Sequence, residues 1–222
     1  LENNRRIEYL YDANGVKLRK KYYENGLLTL TTDYPGEFVY TNGSPDFVLT
    51  SEGRLKRGSS GAFYPEYFLK DHLGNVRVVL TSAVSPTQVT DYYPFGMEIP
   101  LFSSTNNHLK YNSKELQKEA GLEWYDYGAR FYDPQIGRWH VVDPLASYRG
   151  RVSPYSYCQN NSIGRIDPTG ALDDNYTVDE QGNTQLVEKT DDNFDVLYTK
   201  ESWDNVKKDN SITVDKGILD KK

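Results

Sequence analysis

Short runs rich in tyrosine and β-branched residues alternate with turn-forming residues between Ile7 and Tyr93. Such runs are typical of half-buried strands, and Asn-Gly pairs favour tight turns because both positions tolerate positive φ. The pattern therefore predicts a mainly β fold of antiparallel hairpins, in which helix is a minority. The predicted turns lie at Asn14-Gly15, Asn25-Gly26, Asn42-Gly43 and Gly74-Asn75.

Several segments interrupt this pattern. The sequence GSSG at 58–61 predicts a flexible break, after which a second set of strands follows at 64–69, 77–81 and 89–93. The polar sequence SSTNNH at 103–108 predicts a loop. Residues 112–119 (NSKELQKE) predict one or two helical turns with Ser113 as the N-cap.

Composition shifts after Gly170, where the chain becomes acidic. The shift predicts three parts: hairpins over 1–100, a core region over 101–172, and a C-terminal tail or linker over 173–222. The tail contains one hairpin candidate at 176–187, turning at 180–183. Its apolar residues are too few for an independent core, so we expect limited proteolysis to remove it first.

The charge and composition of the 222-residue chain argue against binding to nucleic acid and insertion into a membrane. The net charge is −6, and lysine and arginine are scattered between acids, so no basic footprint for nucleic acid or an anionic membrane is present. No apolar run approaches the ~18 residues of a membrane span. Hydrophobic residues make up 37% and aromatic residues 14%, a balance that favours β-surfaces over a thick helical core. We therefore expect neither nucleic-acid binding nor membrane insertion.

Cofactor and metal sites find little support in the sequence. Cys158 is the only cysteine, which excludes an intrachain disulfide and a thiolate cluster and favours a small buried thiol. His72, His108 and His140 lack the close spacing of zinc ligands. The acidic stretches 173–175 and 191–193 lack the glycine and terminal glutamate of a calcium loop. We expect no cofactor and no metal.

Two Asp-Pro steps, Asp143-Pro144 and Asp167-Pro168, carry the strongest chemical signal. Two adjacent carboxyl groups can share one proton, so that one acts as an acid while the other activates water. A nearby arginine would stabilise a developing oxyanion. In the alternative interpretation, Asp-Pro only starts a turn and Arg130 pairs structurally with a carboxylate.

Five aromatic residues precede these steps: Trp124, Tyr125, Tyr127, Phe131 and Tyr132. Aromatic faces on strands can stack sugars. Their alternation along predicted strands instead favours packing at one end of the domain.

An ordered series of motifs runs through residues 7–170. The motifs are YDANG (11–15), DHLGNVR (71–77), YYPFGM (92–97), GLEWYDYGARFYDPQIGRW (121–139), VDP (142–144) and YSYCQNNS with DPTG (155–170). In this order they resemble the Rhs/YD-repeat proteins, and specifically the Rhs repeat-associated core. The resemblance implies a ribbon of β-hairpins that forms part of a hollow shell, closed at one end by the core region.

The resemblance also implies chemistry. Some family members cut their own backbone just after the second DPxG, using two aspartates and an arginine, which correspond here to Asp143, Asp167 and Arg130. The implied cleavage region is Gly170, Ala171 and Leu172. The chain departs from the family pattern through the insertion of Ala171 before Leu172, and through Ser162 where the family has proline after two asparagines.

Two functions remain open at this point. The first is the closing end of an Rhs-type shell that frees a C-terminal segment by aspartate-dependent autoproteolysis. The second is a non-catalytic structural or adhesion module of a bacterial surface protein. By resemblance, the expected partners are upstream YD repeats of the same polypeptide and a C-terminal toxin cargo, and the expected location is secreted or at the cell surface.

Overall fold

A computed structural model describes residues 4–144, 146 and 152–171, together with strands at 175–178, 184–188 and 197–199. The first ten strands form one antiparallel sheet in which every strand pairs with its neighbours in sequence. They are β1 (Arg5–Tyr11), β2 (Lys17–Glu24), β3 (Leu27–Asp33), β4 (Phe38–Thr41), β5 (Ser44–Thr50), β6 (Gly53–Arg57), β7 (Phe63–Lys70), β8 (Val76–Thr81), β9 (Pro86–Tyr92) and β10 (Glu98–Ser103). The predicted antiparallel hairpin ribbon is therefore confirmed.

Two kinds of turn connect these hairpins. At Asn25-Gly26 and Asn42-Gly43 both residues have positive φ, as predicted. At the other two predicted turns only the glycine does, and an aspartate organises the turn instead. Asp12 Oδ1 accepts the amide hydrogens of residues 14 and 16, at 2.8 and 2.9 Å. Asp71 Oδ1 accepts those of residues 73 and 75, at 3.0 and 3.1 Å. The first of these turns is thus centred one residue earlier than predicted and the second two residues earlier, because the aspartate side chain satisfies the backbone donors.

The prediction of a flexible break at GSSG is wrong. Gly58 donates its amide hydrogen to the Ala62 carbonyl at 2.8 Å, and Gly61 donates to the Gly58 carbonyl at 2.9 Å. Strands β6 and β7 therefore form a regular hairpin, and the sheet continues through this segment without interruption. Glycine and serine supply the turn conformation that the hairpin needs rather than a linker.

The helix predicted over 112–119 is also wrong. The chain forms a short 3₁₀ turn at Tyr111–Ser113, then strand β11 (Glu115–Gln117), and then a second 3₁₀ turn at Glu119–Gly121. Asn112 adopts a left-handed conformation (φ 46°), because its amide donates hydrogen bonds to Leu73 and Asn75 at the β7–β8 turn. Tertiary hydrogen bonding overrides the weak helical propensity of this segment.

A second sheet consists of β11, β12 (Trp124–Asp126), β13 (Phe131–Asp133) and β14 (Arg138–Trp139), paired antiparallel in that order. Its buried face forms the main aromatic core. The core contains Tyr111, Leu116, Tyr125, Tyr127, Tyr132, Trp139, Tyr157 and Cys158. The predicted packing role of the aromatics at 125, 127 and 132 is confirmed, as is the prediction that Cys158 is a buried thiol.

The tyrosine hydroxyls in this core have defined acceptors. Tyr125 donates to the Gly96 carbonyl at 3.0 Å, and Tyr132 donates to the Phe95 carbonyl at 2.8 Å. Tyr127 and Tyr157 both donate to Asn112 Oδ1, at 2.6 and 2.7 Å. Burial raises the pKa of Tyr125, Tyr127 and Tyr157 well above the usual value, so these hydroxyls stay protonated as donors. The core therefore depends on directed hydrogen bonds as well as on apolar burial.

The two sheets meet through a cluster of ion pairs, which we call the Glu115 cluster. Lys17 Nζ lies 2.7 Å from Glu115 Oε2 and 2.6 Å from Asp126 Oδ2. Lys20 Nζ lies 3.0 Å from Glu115 Oε1 and 2.7 Å from Glu119 Oε1. Burial acts to raise the pKa of Glu115, but the two lysines outweigh it and lower the pKa to about 2. The carboxylate is therefore stabilised in its ionised form.

A third set of strands lies in the C-terminal part. Strand β15 (Asn175–Val178) pairs antiparallel with β16 (Thr184–Glu188), and β17 (Leu197–Thr199) pairs parallel with β15. The two arms of the predicted 176–187 hairpin are thus strands, while its turn at 180–183 lies outside the described residues. The acidic stretch 191–193 and residues 173 and 174 also lie outside them. The three-part division of the chain stays a prediction.

Replacing Glu115 with glutamine should destabilise the fold in a pH-dependent way. The folded-state pKa lies below the ordinary 4.5, so the contribution of Glu115 is present above about pH 4.5 and is lost as the pH falls towards 2. It amounts to on the order of 3 kcal/mol. Thermal unfolding of wild type and Glu115→Gln should differ most at pH 7, with the gap narrowing below pH 4.

Glu8→Gln is the matched control for this experiment. Glu8 pairs with Arg6 at 3.1 Å, but both side chains are largely exposed, so its loss should cost less than about 1 kcal/mol. A gap between wild type and Glu115→Gln that is constant from pH 7 to pH 3 would contradict the proposed ionisation of Glu115.

Candidate functional site

Arg130 is the centre of the candidate site. It ends the turn between β12 and β13, which is closed by a 3.1 Å hydrogen bond from the Tyr127 amide to the Arg130 carbonyl. The Gly128 amide donates to Asp126 Oδ1 at 2.9 Å within the same turn. The guanidinium lies over the Trp139 ring, 4.2 Å from its centroid, and the residue is 2% exposed. A stacked guanidinium has its plane and its donors fixed.

Both predicted aspartates meet this guanidinium. Arg130 Nη2 lies 3.0 Å from Asp143 Oδ2 and 3.4 Å from Asp167 Oδ2. Asp143 is 6% exposed and Asp167 is completely buried. The structure thus brings together the three residues that the sequence analysis selected, although 37 positions separate Arg130 from Asp167. Their chemical roles stay a prediction.

The backbone around each aspartate sets its position. Asp167 Oδ1 accepts the amide hydrogens of Thr169 and Gly170, at 3.2 and 2.7 Å, so the DPTG sequence forms a turn around its own carboxylate. The backbone N–H of Asp143 donates a hydrogen bond to the Pro154 carbonyl at 3.0 Å, which fixes the position of this residue. Each carboxyl group therefore faces the guanidinium from a different segment of the chain.

The same arginine also binds the peptide that follows the DPTG turn. Arg130 Nε donates a short hydrogen bond to the Gly170 carbonyl oxygen, and Nη1 donates to the Pro154 carbonyl at 3.2 Å. Gly170 has φ +75°, and a Cβ added there would lie 3.0 Å from Tyr127 Cβ and 3.1 Å from the Arg130 nitrogen. Close approach of the backbone to Arg130 therefore requires glycine at this position.

Ala171 is half-buried, and Leu172, the third residue of the predicted cleavage region, lies outside the described residues. The Thr169 carbonyl accepts the Ala129 amide at 3.0 Å. The peptide after Gly170 therefore leaves the site directly beside the Arg130 loop.

Lys114 is a member of the site that the sequence analysis missed. Its Nζ donates to the Pro168 carbonyl at 2.5 Å and lies 5.2 Å from the Tyr127 ring centroid. Burial lowers the pKa of Lys114, while the charges of Asp167 and Asp126 act against the shift. Lys114 directly precedes β11 and so joins this strand to the DPTG turn. The sequence analysis missed Lys114 because it predicted a helix over 112–119. A lysine in that helix has no sequence relationship to the DPTG motif.

Within the part of the chain that the structure describes, no group of three histidine, cysteine or acidic side chains is arranged to hold a metal ion. No described helix is long and apolar enough to cross a membrane.

No protein-family model matches the sequence. Among curated proteins, salivary gland surface protein 1 of Aedes aegypti is 37% identical over 194 residues, which covers 77% of this chain and 6% of that protein. Toxin subunit YenC2 of Yersinia entomophaga is 32% identical over 85 residues, covering 36% of this chain and 8% of the subunit. The chain therefore spans less than a tenth of the length of these relatives.

Solved structures extend the comparison. A TcdB2-TccC3-TEV crystal structure matches with a TM-score of 0.62 at 22% identity, covering 76% of this chain and 9% of the matched chain. The Photorhabdus luminescens Tc holotoxin pore matches with a TM-score of 0.58 at 21% identity, with the same coverage. The chain has the fold of an Rhs/YD-repeat protein.

The two sheets of this fold contribute different features. The ten-stranded sheet consists of consecutive hairpins, and the aspartates at 12 and 71 organise two of their turns. The second sheet and the following segment hold Arg130, Asp143 and Asp167. The candidate site therefore lies in the second sheet and the segment that follows it.

Gly170→Ala should destabilise the protein more than Gly15→Ala does. Both glycines have a left-handed φ, +75° and +80°, so each substitution costs about 1–2 kcal/mol of backbone strain. Nothing lies within 4 Å of a Cβ at residue 15, whereas residue 170 is crowded by Tyr127 and Arg130. Crowding should add about 1–3 kcal/mol in urea unfolding. Equal losses for the two variants would show that the Arg130 contact does not constrain residue 170.

Proposed function

We propose that this chain forms the closing end of an Rhs-type shell and cuts its own backbone at the Gly170–Ala171 peptide bond. The observation that carries the proposal is that Arg130 contacts both aspartates and the peptide bond that follows the DPTG turn. Its guanidinium binds both buried carboxylates and also the carbonyl oxygen of Gly170. An arginine that only neutralised the two aspartates would not need to bind the Gly170 carbonyl, which belongs to the peptide bond proposed to be cut.

The chemistry follows from this arrangement. In this proposal the two carboxyl groups share a single proton, so that one is an acid and the other a base. The base takes a proton from a water molecule, whose oxygen adds to the Gly170 carbonyl carbon. The developing oxyanion accepts the hydrogen bond from Arg130 Nε. The acid protonates the Ala171 nitrogen, the C–N bond breaks, and a Gly170 carboxyl group and an Ala171 amine result.

The assignment of the bond to Gly170–Ala171 rests on the geometry of the DPTG turn. Asp167 holds the Gly170 amide with one carboxylate oxygen, while Arg130 holds the Gly170 carbonyl. The two ends of this residue are thus fixed before any water arrives, which lowers the entropic cost of reaching the transition state. The inserted Ala171 then becomes the first residue of the released segment.

A wider role follows from the relatives. Because the chain spans less than a tenth of each relative, we place it as a segment of a longer secreted or surface-exposed protein. Upstream YD repeats would pair with the outer edge of β1, which has no strand partner among the described residues. One matched complex was crystallised without a hypervariable C-terminal region. By analogy, the segment after Gly170 would connect to a toxin cargo.

A second candidate function is a non-catalytic surface or adhesion module. The similarity to a salivary gland surface protein favours it, since that relative covers more of this chain than the toxin subunit does. In that case the Arg130 site is a structural clamp that joins segments with little regular structure. The two functions differ in whether the backbone after Gly170 is cut.

Intact-mass spectrometry of the purified chain distinguishes them. For wild type we expect two fragments, 1–170 and 171–222, accumulating with time. Asp143→Asn and Asp167→Asn keep the side-chain shape but remove the ionisable group, so each should slow cleavage by about 100-fold or more.

Asp91→Asn is the control for these variants, because Asp91 pairs with Arg77 at a largely exposed position far along the first sheet. It should cleave at the wild-type rate. Melting temperatures of all variants separate loss of chemistry from loss of folding. A wild-type chain that stays at full length supports the surface-module function, and cleavage at an unchanged rate in both aspartate variants would exclude them as catalysts.

A further inference from the structure

A cavity of about 220 Å³ lies between strands β2–β5 and the segment that leads into β11, away from the Arg130 site. Its apolar lining comes from Leu30, Val39, Phe47, Leu49 and Leu109. None of Arg130, Asp143, Asp167 or Lys114 contributes to it. The residues that line it come from both sheets, so a ligand there would contact the hairpin ribbon and the core region together.

The charged groups around the cavity favour a cation. Its lining includes the acids Asp46, Glu115 and Glu119 but only the lysines 17 and 20. Both lysines are already shared with the acids of the Glu115 cluster. His108 also lines the cavity, and burial lowers its pKa, so it adds no positive charge at neutral pH.

Asp46 is the most exposed of the three carboxylates, and its lysine partner is the most distant. Thr41 donates a hydrogen bond to its Oδ2 at 3.0 Å, and Lys56 Nζ stays 3.7 Å from Oδ1. The Asp46 side chain is one-third exposed, so it can accept a new donor without a large desolvation cost. It lies on the β5 side of the cavity, beside the apolar Phe47.

We propose that this cavity binds a small organic amine that consists of one aromatic ring and a short alkyl-ammonium arm. Cavities of about 150 Å³ with aliphatic and aromatic walls accept benzene, so the volume here suits one ring with a short arm. The ring contacts the apolar wall, and the ammonium donates to Asp46. This site is independent of the proposed backbone cleavage.

Calorimetric titration of the full chain with three probes of similar size tests the proposal. Phenethylamine carries the ring and the cation, phenylacetate carries the ring and an anion, and phenethyl alcohol carries the ring and a neutral donor. We expect phenethylamine to bind at least about tenfold more tightly than either of the others, since a charge-assisted hydrogen bond is stronger than a neutral one.

Two substitutions localise the binding. Asp46→Asn should weaken phenethylamine binding about tenfold and leave phenethyl alcohol unaffected. Leu30→Phe fills the cavity from β3 and should abolish binding of the amine. Leu28→Phe is its matched control, because Leu28 is half exposed on the same strand and does not line the cavity.

The proposal is overturned if no probe binds, if phenylacetate binds as tightly as phenethylamine, or if Asp46→Asn leaves the affinity for the amine unchanged. It is also overturned if Leu28→Phe and Leu30→Phe have equal effects, since binding would then lie outside the cavity. Melting temperatures that match the wild type show that each variant is folded.

Discussion

The guanidinium of Arg130 is the interaction on which the closing end of this protein depends. Among the described residues between 140 and 170 no strand forms, and the chain has a 3₁₀ turn at Cys158–Asn160 and an isolated bridge between Arg138 and Ser156. Arg130 binds this segment at several points, through Asp143, the Pro154 carbonyl and the DPTG turn. A single buried side chain thus replaces the ladder of backbone hydrogen bonds that a strand would have provided. Its removal would leave two buried carboxylates without their common cation, which is far more costly than the loss of a surface ion pair.

Polar groups dominate the interior elsewhere as well. The core is built from tyrosines whose hydroxyls reach backbone carbonyls and the side chain of Asn112. The contact between the sheets is the Glu115 cluster, in which lysines and acids are held between layers of β-structure. Such interiors are stable only when nearly every donor finds its acceptor. They also fix one arrangement of the two sheets, because a shift by one residue would separate the charged partners.

Much of the fold could be predicted from the sequence because its determinants are local. Alternating residues and glycine-containing turns define hairpins within a few positions, and the ten-stranded order follows from joining neighbours. The predictions were wrong where contacts between distant residues determine the local conformation. Asn112 takes a left-handed conformation because of Asn75, 37 positions away, and no local pattern shows this. GSSG resembles a linker in composition, although its glycines serve a hairpin.

The candidate site was found through motifs rather than through periodicity. Asp143, Asp167 and Arg130 each lie in a recognisable motif. In the structure both aspartates contact the same nitrogen, Nη2 of Arg130. Lys114 and Trp139 belong to the same site but carry no motif signal for it. The stacking of Arg130 on Trp139 and the contact of Lys114 with Pro168 depend on how β11 and β14 pack, which is a property of the assembled sheets.

The hydrogen bonds of Asn112 couple two parts of the protein. This one residue binds the β7–β8 turn through Leu73 and Asn75, and it accepts the hydroxyls of Tyr127 and Tyr157 that support the aromatic core. The packing of the closing end therefore depends on the β7–β8 hairpin. Loss of the Asn112 side chain would weaken the hairpin ribbon and the aromatic core together, because both use the same amide group.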